Sequence, residues 1–375
     1  MQLTREQVIA YRVAAQGLHR EASAVGELGV LDLGVQEAMG HPASVIFAAR
    51  LDDAAAAAPD AVEVGPGHDL ALAWTMRGAP HVHRRADLDR IAKVLWPLSE
   101  ADATARLNET GPSIAKKGVA ALEQFRIAVT ELRASVPAPT AKGAVSTEVS
   151  KRIPAAMLRE CRPCGTSHIS DSAMRAAAPA AGLELEPGTS PPVLLRRRGA
   201  KQPTKADPKA VALFALDYLR FLGPAGDAEF AGFLEARRAD IKGIWPADLA
   251  EVSVDGRTAW LASENLDALQ DAREPAIVRL LGPFDPYLQA RDRTLIVPDK
   301  AVHKALWPVL GRPGAVFVEG EIAGTWRTKA SGRKLAITVE AFGPLSKSSW
   351  TAIDDEATRV AVVRGCSEVA VTRKK

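Results

Sequence analysis

Two cysteines and a histidine have a spacing that could bind a metal ion. The sequence Cys161-Arg-Pro-Cys164-Gly-Thr-Ser-His168 supplies three potential zinc ligands, and His303 is a candidate for a fourth. A single Cys-x-x-Cys pair is nevertheless a weak signal, because small thiols are common in protein cores. We therefore expect Cys161 and Cys164 to be buried structural thiols and expect no bound metal.

A second group of chemically active residues lies in the segment 70–85. Two short apolar runs flank Arg77-Gly78-Ala79, and this pattern predicts a β-hairpin whose turn contains the glycine. The returning strand carries four residues that could donate hydrogen bonds to a polyanion: His81, His83, Arg84 and Arg85. The alternative is a solvated hairpin edge that is kept soluble by its charge.

The pattern of helices followed by a basic hairpin occurs again along the chain. The segment 183–198 predicts a hairpin around Pro187-Gly188 that ends in Arg196, Arg197 and Arg198. In the segment 205–262, three short helices precede a hairpin around Asp255-Gly256, which is a strong two-residue turn signal. Short helices followed by a hairpin make up the winged-helix plan, so the repetition favours an array of DNA-binding modules.

The last part of the chain has a different pattern. It predicts five strands, at Ala276 to Leu281, Thr294 to Val297, Val316 to Glu319, Ile322 to Trp326 and Lys334 to Ala341. A hairpin at the end of this series has an aromatic residue at its base and four basic residues that could contact phosphates or form a solvated tip: Arg327, Lys329, Arg333 and Lys334.

These elements together predict an α+β fold with three tandem winged-helix (helix-turn-helix) modules and a small C-terminal β-rich domain. We place the modules at residues 1–108, 109–204 and 205–272, and the β-rich domain and tail at 273–375.

Composition and charge are those of a cytoplasmic globular protein. The 375 residues are 47% hydrophobic and 25% charged, and the odd count of 3 cysteines argues against a disulfide framework. The segment Met1 to Arg20 has an amphipathic helical pattern, which argues against a signal peptide, and no apolar run is long enough to span a bilayer. The net charge of +3 is small, so nucleic-acid binding depends on local basic clusters.

Five ordered passages resemble the helix-turn-helix DNA glycosylases of the AlkZ and YcaQ type. They are Gly34-Val-Gln36, Ala73-Trp-Thr-Met-Arg-Gly-Ala-Pro-His81, Arg220-Phe-Leu-Gly-Pro224, Arg279-Leu-Leu-Gly-Pro-Phe-Asp-Pro-Tyr287 with Asp292-Arg293, and Val318-Glu-Gly-Glu-Ile-Ala-Gly-Thr-Trp326. The resemblance implies a concave binding surface for double-stranded DNA and hydrolysis of the N-glycosidic bond of N7-alkylated purines or unhooking of interstrand crosslinks. It also implies that no metal or organic cofactor takes part. We also expect a monomer that is associated with the nucleoid.

The resemblance also implies where the chemistry lies. Family members carry a Gln-x-Gln or Gln-x-Asp motif, and here Gln36 matches its first position whereas Ala38 stands at its third. Ala38 can neither orient nor deprotonate a water, so the candidate catalytic residues are Gln36 and Glu37, which can act together if the loop turns locally. The alternative is a catalytically silent DNA-binding protein or transcriptional regulator.

Asp285 is a further acidic candidate, for which bracing of a turn is the preferred interpretation.

Overall fold

A computed structural model describes residues 1–38, 40–107, 113 and 115–374. The fold is mixed α and β, as predicted. Among the described residues, the helices are α1 (Arg5–Ala15), α2 (Ala43–Ala48), α3 (Leu88–Val94), α4 (Glu100–Leu107), α5 (Ala121–Ala134), α6 (Lys142–Arg152), α7 (Asp171–Ala177), α8 (Pro208–Leu222), α9 (Asp227–Leu234), α10 (Arg238–Lys242), α11 (Leu266–Gln270), α12 (Arg293–Ile296), α13 (His303–Leu306) and α14 (Lys347–Val363).

The strands, also numbered in chain order, are β1 (Gln2–Leu3), β2 (Val35–Gln36), β3 (Leu70–Trp74), β4 (Pro80–Arg84), β5 (Thr140–Ala141), β6 (Arg159–Cys161), β7 (Thr166–His168), β8 (Leu183–Leu185), β9 (Val193–Arg196), β10 (Leu249–Val254), β11 (Arg257–Ala262), β12 (Val278–Leu281), β13 (Gly314–Val318), β14 (Glu321–Ser331), β15 (Lys334–Ala341) and β16 (Glu368–Lys374). Within the described residues, no helix is both long enough and apolar enough to cross a bilayer.

The contacts within the chain define two compact units. The first unit comprises Met1–Glu63, Leu216–Glu229 and Ala247–Lys375, and the second comprises Val64–Ala215 and Phe230–Pro246. Both units are therefore built from segments that are distant in sequence. The division into four consecutive segments stays a prediction, and its boundary between residues 108 and 109 lies outside the described residues.

The smaller sheet of the first unit contains strands β1, β10 and β11. Strands β10 and β11 form the predicted hairpin, in which Asp255 and Gly256 have φ values of 47° and 81°. Positive φ at both central residues is what a type I′ turn requires, and Asp-Gly tolerates it well. Helix α1 packs here through Val8 and Tyr11, and Thr4 caps this helix by accepting a hydrogen bond from the Gln7 backbone N–H.

The larger sheet of the first unit has the strand order β12-β13-β14-β15-β16. Along β15, Leu335, Ile337 and Val339 are buried whereas the residues between them are exposed, so one face of the sheet is apolar. Helix α14 packs against β12, and it extends the domain beyond the five predicted strands.

One of the five predicted strands, Thr294 to Val297, is wrong. This segment forms the single-turn helix α12, in which the Val297 N–H donates to the Arg293 carbonyl at 2.8 Å. The segment is mostly apolar and rich in β-branched residues, but such a short run does not by itself distinguish a strand from a buried helical turn.

The second unit combines the first two predicted hairpins in one sheet. Its strands are hydrogen-bonded in the order β4-β3-β8-β9-β5, and Leu72 of β3 pairs with Leu185 of β8. The turn between β3 and β4 contains Arg77 and Gly78, both with positive φ (59° and 64°). The hairpins are thus where the turn residues predicted them.

Two buried arginine–carboxylate pairs lie inside the first unit. Arg12 binds Asp292 with a nitrogen–oxygen distance of 2.7 Å, and Arg50 binds Asp285 at 2.8 Å. The Asp285 carboxylate also accepts the Tyr287 backbone N–H at 2.9 Å. Asp285 therefore braces a turn, as the sequence interpretation preferred.

Candidate active site and DNA-binding residues

The candidate catalytic residues lie where strand β2 turns into a tight loop. Gln36 ends β2, Glu37 follows it, and Ala38 exchanges two backbone hydrogen bonds with His41, at 3.2 and 2.8 Å. All four residues are partly buried. The chain therefore turns directly after Glu37.

The carboxylate of Glu37 is held at the beginning of helix α2. Its Oε2 accepts a hydrogen bond from the Ala43 backbone N–H at 2.7 Å. Burial raises the pKa of Glu37 above its ordinary value, and the Ala43 hydrogen bond opposes that rise only in part. A raised pKa makes the ionised carboxylate a stronger base toward water.

A pocket in the first unit lies next to this loop. Its lining includes His41, Phe284, Trp326, Thr328 and Arg364. Burial lowers the pKa of His41, and the positive charges of Arg364 and Arg327 lower it further, so the imidazole is neutral at pH 7. No sequence pattern indicates that His41 and Arg364 line one pocket, because only the fold brings residues so distant in sequence together.

The hairpin formed by β14 and β15 carries the basic residues predicted for it. Arg327 and Lys329 are exposed and, two positions apart, project from the same face of β14. Arg333 is exposed at the end of the turn, and Lys334 is exposed with its Nζ 3.2 Å from a Glu368 carboxylate oxygen. We call these four residues the basic hairpin. Trp326 and Thr328, on either side of Arg327 in β14, line the pocket, so the basic hairpin adjoins it.

The expectation that strand β4 exposes its histidines is wrong. His81 and His83 are buried, at 2% and 0% exposure. Nδ1 of His81 lies 2.9 Å from the Ala79 carbonyl, and Nε2 of His83 lies 3.0 Å from the Thr75 hydroxyl. The alternating pattern correctly predicted a strand, but it could not show that both faces of that strand are covered.

The arginines of the second unit differ in exposure. Arg84 and Arg85 are partly buried, and Arg85 binds Glu184 at 2.8 Å. Arg197 pairs with Asp89, whereas Arg196 and Arg198 are exposed. The exposed pair is therefore better placed than the other three to reach a phosphate.

The cysteines also differ from the sequence expectation. Cys164 is exposed and Cys161 is partly buried, so neither is a core thiol. The ligand atoms of Cys161, Cys164 and His168 all lie within 4.8 Å of one another. His303, the candidate fourth ligand, belongs to the other unit and its Nε2 lies 2.7 Å from the Val297 carbonyl.

By its fold the chain is similar to a DNA glycosylase. It superposes on the solved structure of the Streptomyces sahachiroi DNA glycosylase AlkZ with a TM-score of 0.76 at 20% identity, covering 100% of both chains. The chain belongs to the DNA glycosylase AlkZ-like family, whose sequence profile matches residues 25–363. It is also 28% identical over 184 residues to an interstrand DNA cross-link repair glycosylase of Streptomyces sahachiroi, an alignment that covers 45% of this chain and 46% of that relative.

Proposed function

We propose that this protein is a monofunctional DNA N-glycosylase that hydrolyses the N-glycosidic bond of N7-alkylated purines in double-stranded DNA, or unhooks interstrand crosslinks by the same reaction. The observation that carries the proposal is Glu37, a half-buried carboxylate with a raised pKa next to a pocket and a basic hairpin, in a member of the AlkZ-like family.

The chemistry requires little beyond a well-placed water. An N7-alkylated purine is cationic and leaves as a neutral base, so the enzyme chiefly positions a nucleophile and stabilises oxocarbenium character in the sugar. In the proposed mechanism the negative charge of ionised Glu37 stabilises the oxocarbenium ion as the bond to the departing base breaks. Glu37 then accepts a proton from the attacking water as the new carbon–oxygen bond forms. The Gln36 amide orients the same water.

DNA is held mainly by exposed basic side chains. The basic hairpin, Arg196 and Arg198 contact phosphates in this proposal, and Arg84, Arg85 and Arg197 contribute positive potential from partly buried positions. We further propose that the protein acts as a monomer on nucleoid DNA in the cytoplasm, and that it needs no organic cofactor.

The winged-helix assignment is part of the same proposal. All three predicted hairpins are present, at β3–β4, β8–β9 and β10–β11, and helices precede each of them in the chain. This order supports three helix-turn-helix modules with a β-wing.

A base-release assay tests the proposed function. The purified protein is incubated with a duplex that contains 7-methylguanine, and abasic sites are counted against a duplex with unmodified guanine. Abasic sites in the modified duplex alone support the glycosylase. Tight binding of both duplexes with no base release would replace it with the catalytically silent DNA-binding protein.

A further inference from the structure

A small hairpin in the second unit brings together residues that the proposed glycosylase chemistry does not use. We call residues 159–168 the cysteine knuckle. Strands β6 and β7 pair with Arg159 opposite His168 and Cys161 opposite Thr166. Gly165 closes the turn at a φ of 63°, where its N–H donates to the Cys161 carbonyl at 2.9 Å.

The geometry of the knuckle suits a tetrahedral metal ion. The ligand atoms of Cys161, Cys164 and His168 lie within 4.8 Å of one another. Zinc–sulfur bonds of about 2.3 Å at tetrahedral angles place two sulfurs about 3.8 Å apart, so the three atoms need only small shifts to share one ion.

His168 is oriented as a metal ligand usually is. Its Nδ1 lies 2.6 Å from the Ile169 carbonyl and must carry the proton to make that hydrogen bond. The lone pair then belongs to Nε2. Histidines that bind metals almost always donate their other ring N–H in this way, which fixes both the tautomer and the ring plane.

The knuckle also needs a stabilising element. Its strands are mostly exposed, and an isolated two-stranded hairpin is only marginally stable. It leads directly into helix α7, where the Ser170 hydroxyl caps the helix and the Arg175 guanidinium stacks over Trp74 at 5.1 Å. A crosslink at His168 would therefore fix the start of a helix that packs on the β3–β4 hairpin.

From these observations we propose that Cys161 Sγ, Cys164 Sγ and His168 Nε2 bind a structural zinc ion, with a water in the fourth position. Cys164 is exposed, so solvent can reach that position. Both cysteines bind as thiolates, so binding releases their two thiol protons to solvent and forms two zinc–sulfur bonds and one zinc–nitrogen bond.

Metal analysis of the purified full-length chain tests the proposal. We expect about one zinc per chain in the wild type and near zero in Cys161→Ser, Cys164→Ser and His168→Gln. Cys366→Ser is the matched control, because that third cysteine lies in the first unit and donates to the Arg364 carbonyl. It should keep its zinc, and so should His168→Cys, which restores a ligand of another type.

Cobalt gives a second readout that does not depend on any activity. Wild-type protein loaded with Co²⁺ should show sulfur-to-cobalt charge transfer and the visible bands of a tetrahedral ion, and both should disappear in Cys161→Ser. The proposal is overturned if the wild type holds no more zinc than Cys161→Ser, if Cys366→Ser loses zinc equally, or if the isolated protein contains a Cys161–Cys164 disulfide in place of metal.

Discussion

Arg50 and Asp285 form a fully buried, two-pronged ion pair in which each carboxylate oxygen lies 2.8 Å from a guanidinium nitrogen. Arg50 also donates a hydrogen bond to the carbonyl of Ile46, which lies in helix α2. Helix α2, which ends shortly before Arg50, begins at Ala43, whose N–H holds the Glu37 carboxylate. The pair therefore anchors the helix on which the candidate catalytic loop depends.

Breaking this pair should destabilise the protein strongly. Asp285→Ala leaves a buried guanidinium without its counter-charge, and we expect a loss of about 3–5 kcal/mol in the free energy of unfolding. Urea denaturation measures it. The double variant Arg50→Met with Asp285→Leu removes both charges. Its free energy of unfolding should fall by less than that of Asp285→Ala alone. Equal denaturation midpoints for Asp285→Ala and the wild type would show that the pair contributes no stability.

DNA binding should depend steeply on salt. If about six phosphates are contacted, the logarithm of the binding constant falls with the logarithm of salt concentration at a slope of about −5. Replacing Arg327 and Lys329 by Gln should make the slope shallower by about 2. Lys300→Gln, which removes one exposed charge outside the basic hairpin, is the control. A slope near zero in the wild type would contradict DNA binding, and an unchanged slope in the double variant would exclude the basic hairpin from it.

Local chemistry explains why the hairpins could be predicted. Asp255-Gly256 forms a two-residue turn that dictates the register of β10 and β11, and Pro187-Gly188 marks the longer connection between β8 and β9. The burial of His81 and His83 could not be predicted in the same way. It depends on which segments pack on both faces of β4, and that is decided by contacts between residues far apart in sequence.

The candidate site was predictable only in part. The resemblance indicates Gln36, and Glu37 is a candidate because it places a carboxylate beside Gln36. The structure adds the turn at Ala38 and the hydrogen bond from Ala43. His41 and Arg364 join the pocket through the fold, since 323 positions separate them in the sequence. Sequence spacing cannot predict a contact between residues so far apart in the chain.

The buried His81 should make the protein sensitive to mild acid. Burial, followed by the charges of Arg77 and His83, holds its pKa well below the ordinary value of 6.5. The unfolded chain therefore binds a proton that the folded chain does not, and stability is lost as the pH falls from about 6.5 toward the lowered pKa. Urea midpoints of the wild type should fall over this range more steeply than those of His81→Gln. If the urea midpoints of both proteins fell equally steeply with pH, His81 would not be the cause of the loss of stability.

The altered motif position offers a gain-of-function test. Ala38 presents only a methyl group, and Ala38→Gln rebuilds the Gln-x-Gln pattern implied by the family resemblance. We expect faster base release than in the wild type, because a second amide can orient the water. Ala38→Leu is the size control and should not accelerate release. Slower release by Ala38→Gln would show that this position does not face the water.

The central claim is that Glu37 activates the water, and single-turnover base release from an N7-alkylguanine duplex tests it most directly. Glu37→Gln should be slower by a factor of about 10² to 10⁴ with binding of undamaged duplex unchanged. The control Glu21→Gln, which makes the same substitution at an exposed glutamate outside the candidate loop, should match the wild type. The wild-type rate should fall as the pH drops through the raised pKa of Glu37, because only the ionised carboxylate accepts a proton. Equal rates for Glu37→Gln and the wild type would contradict the assignment.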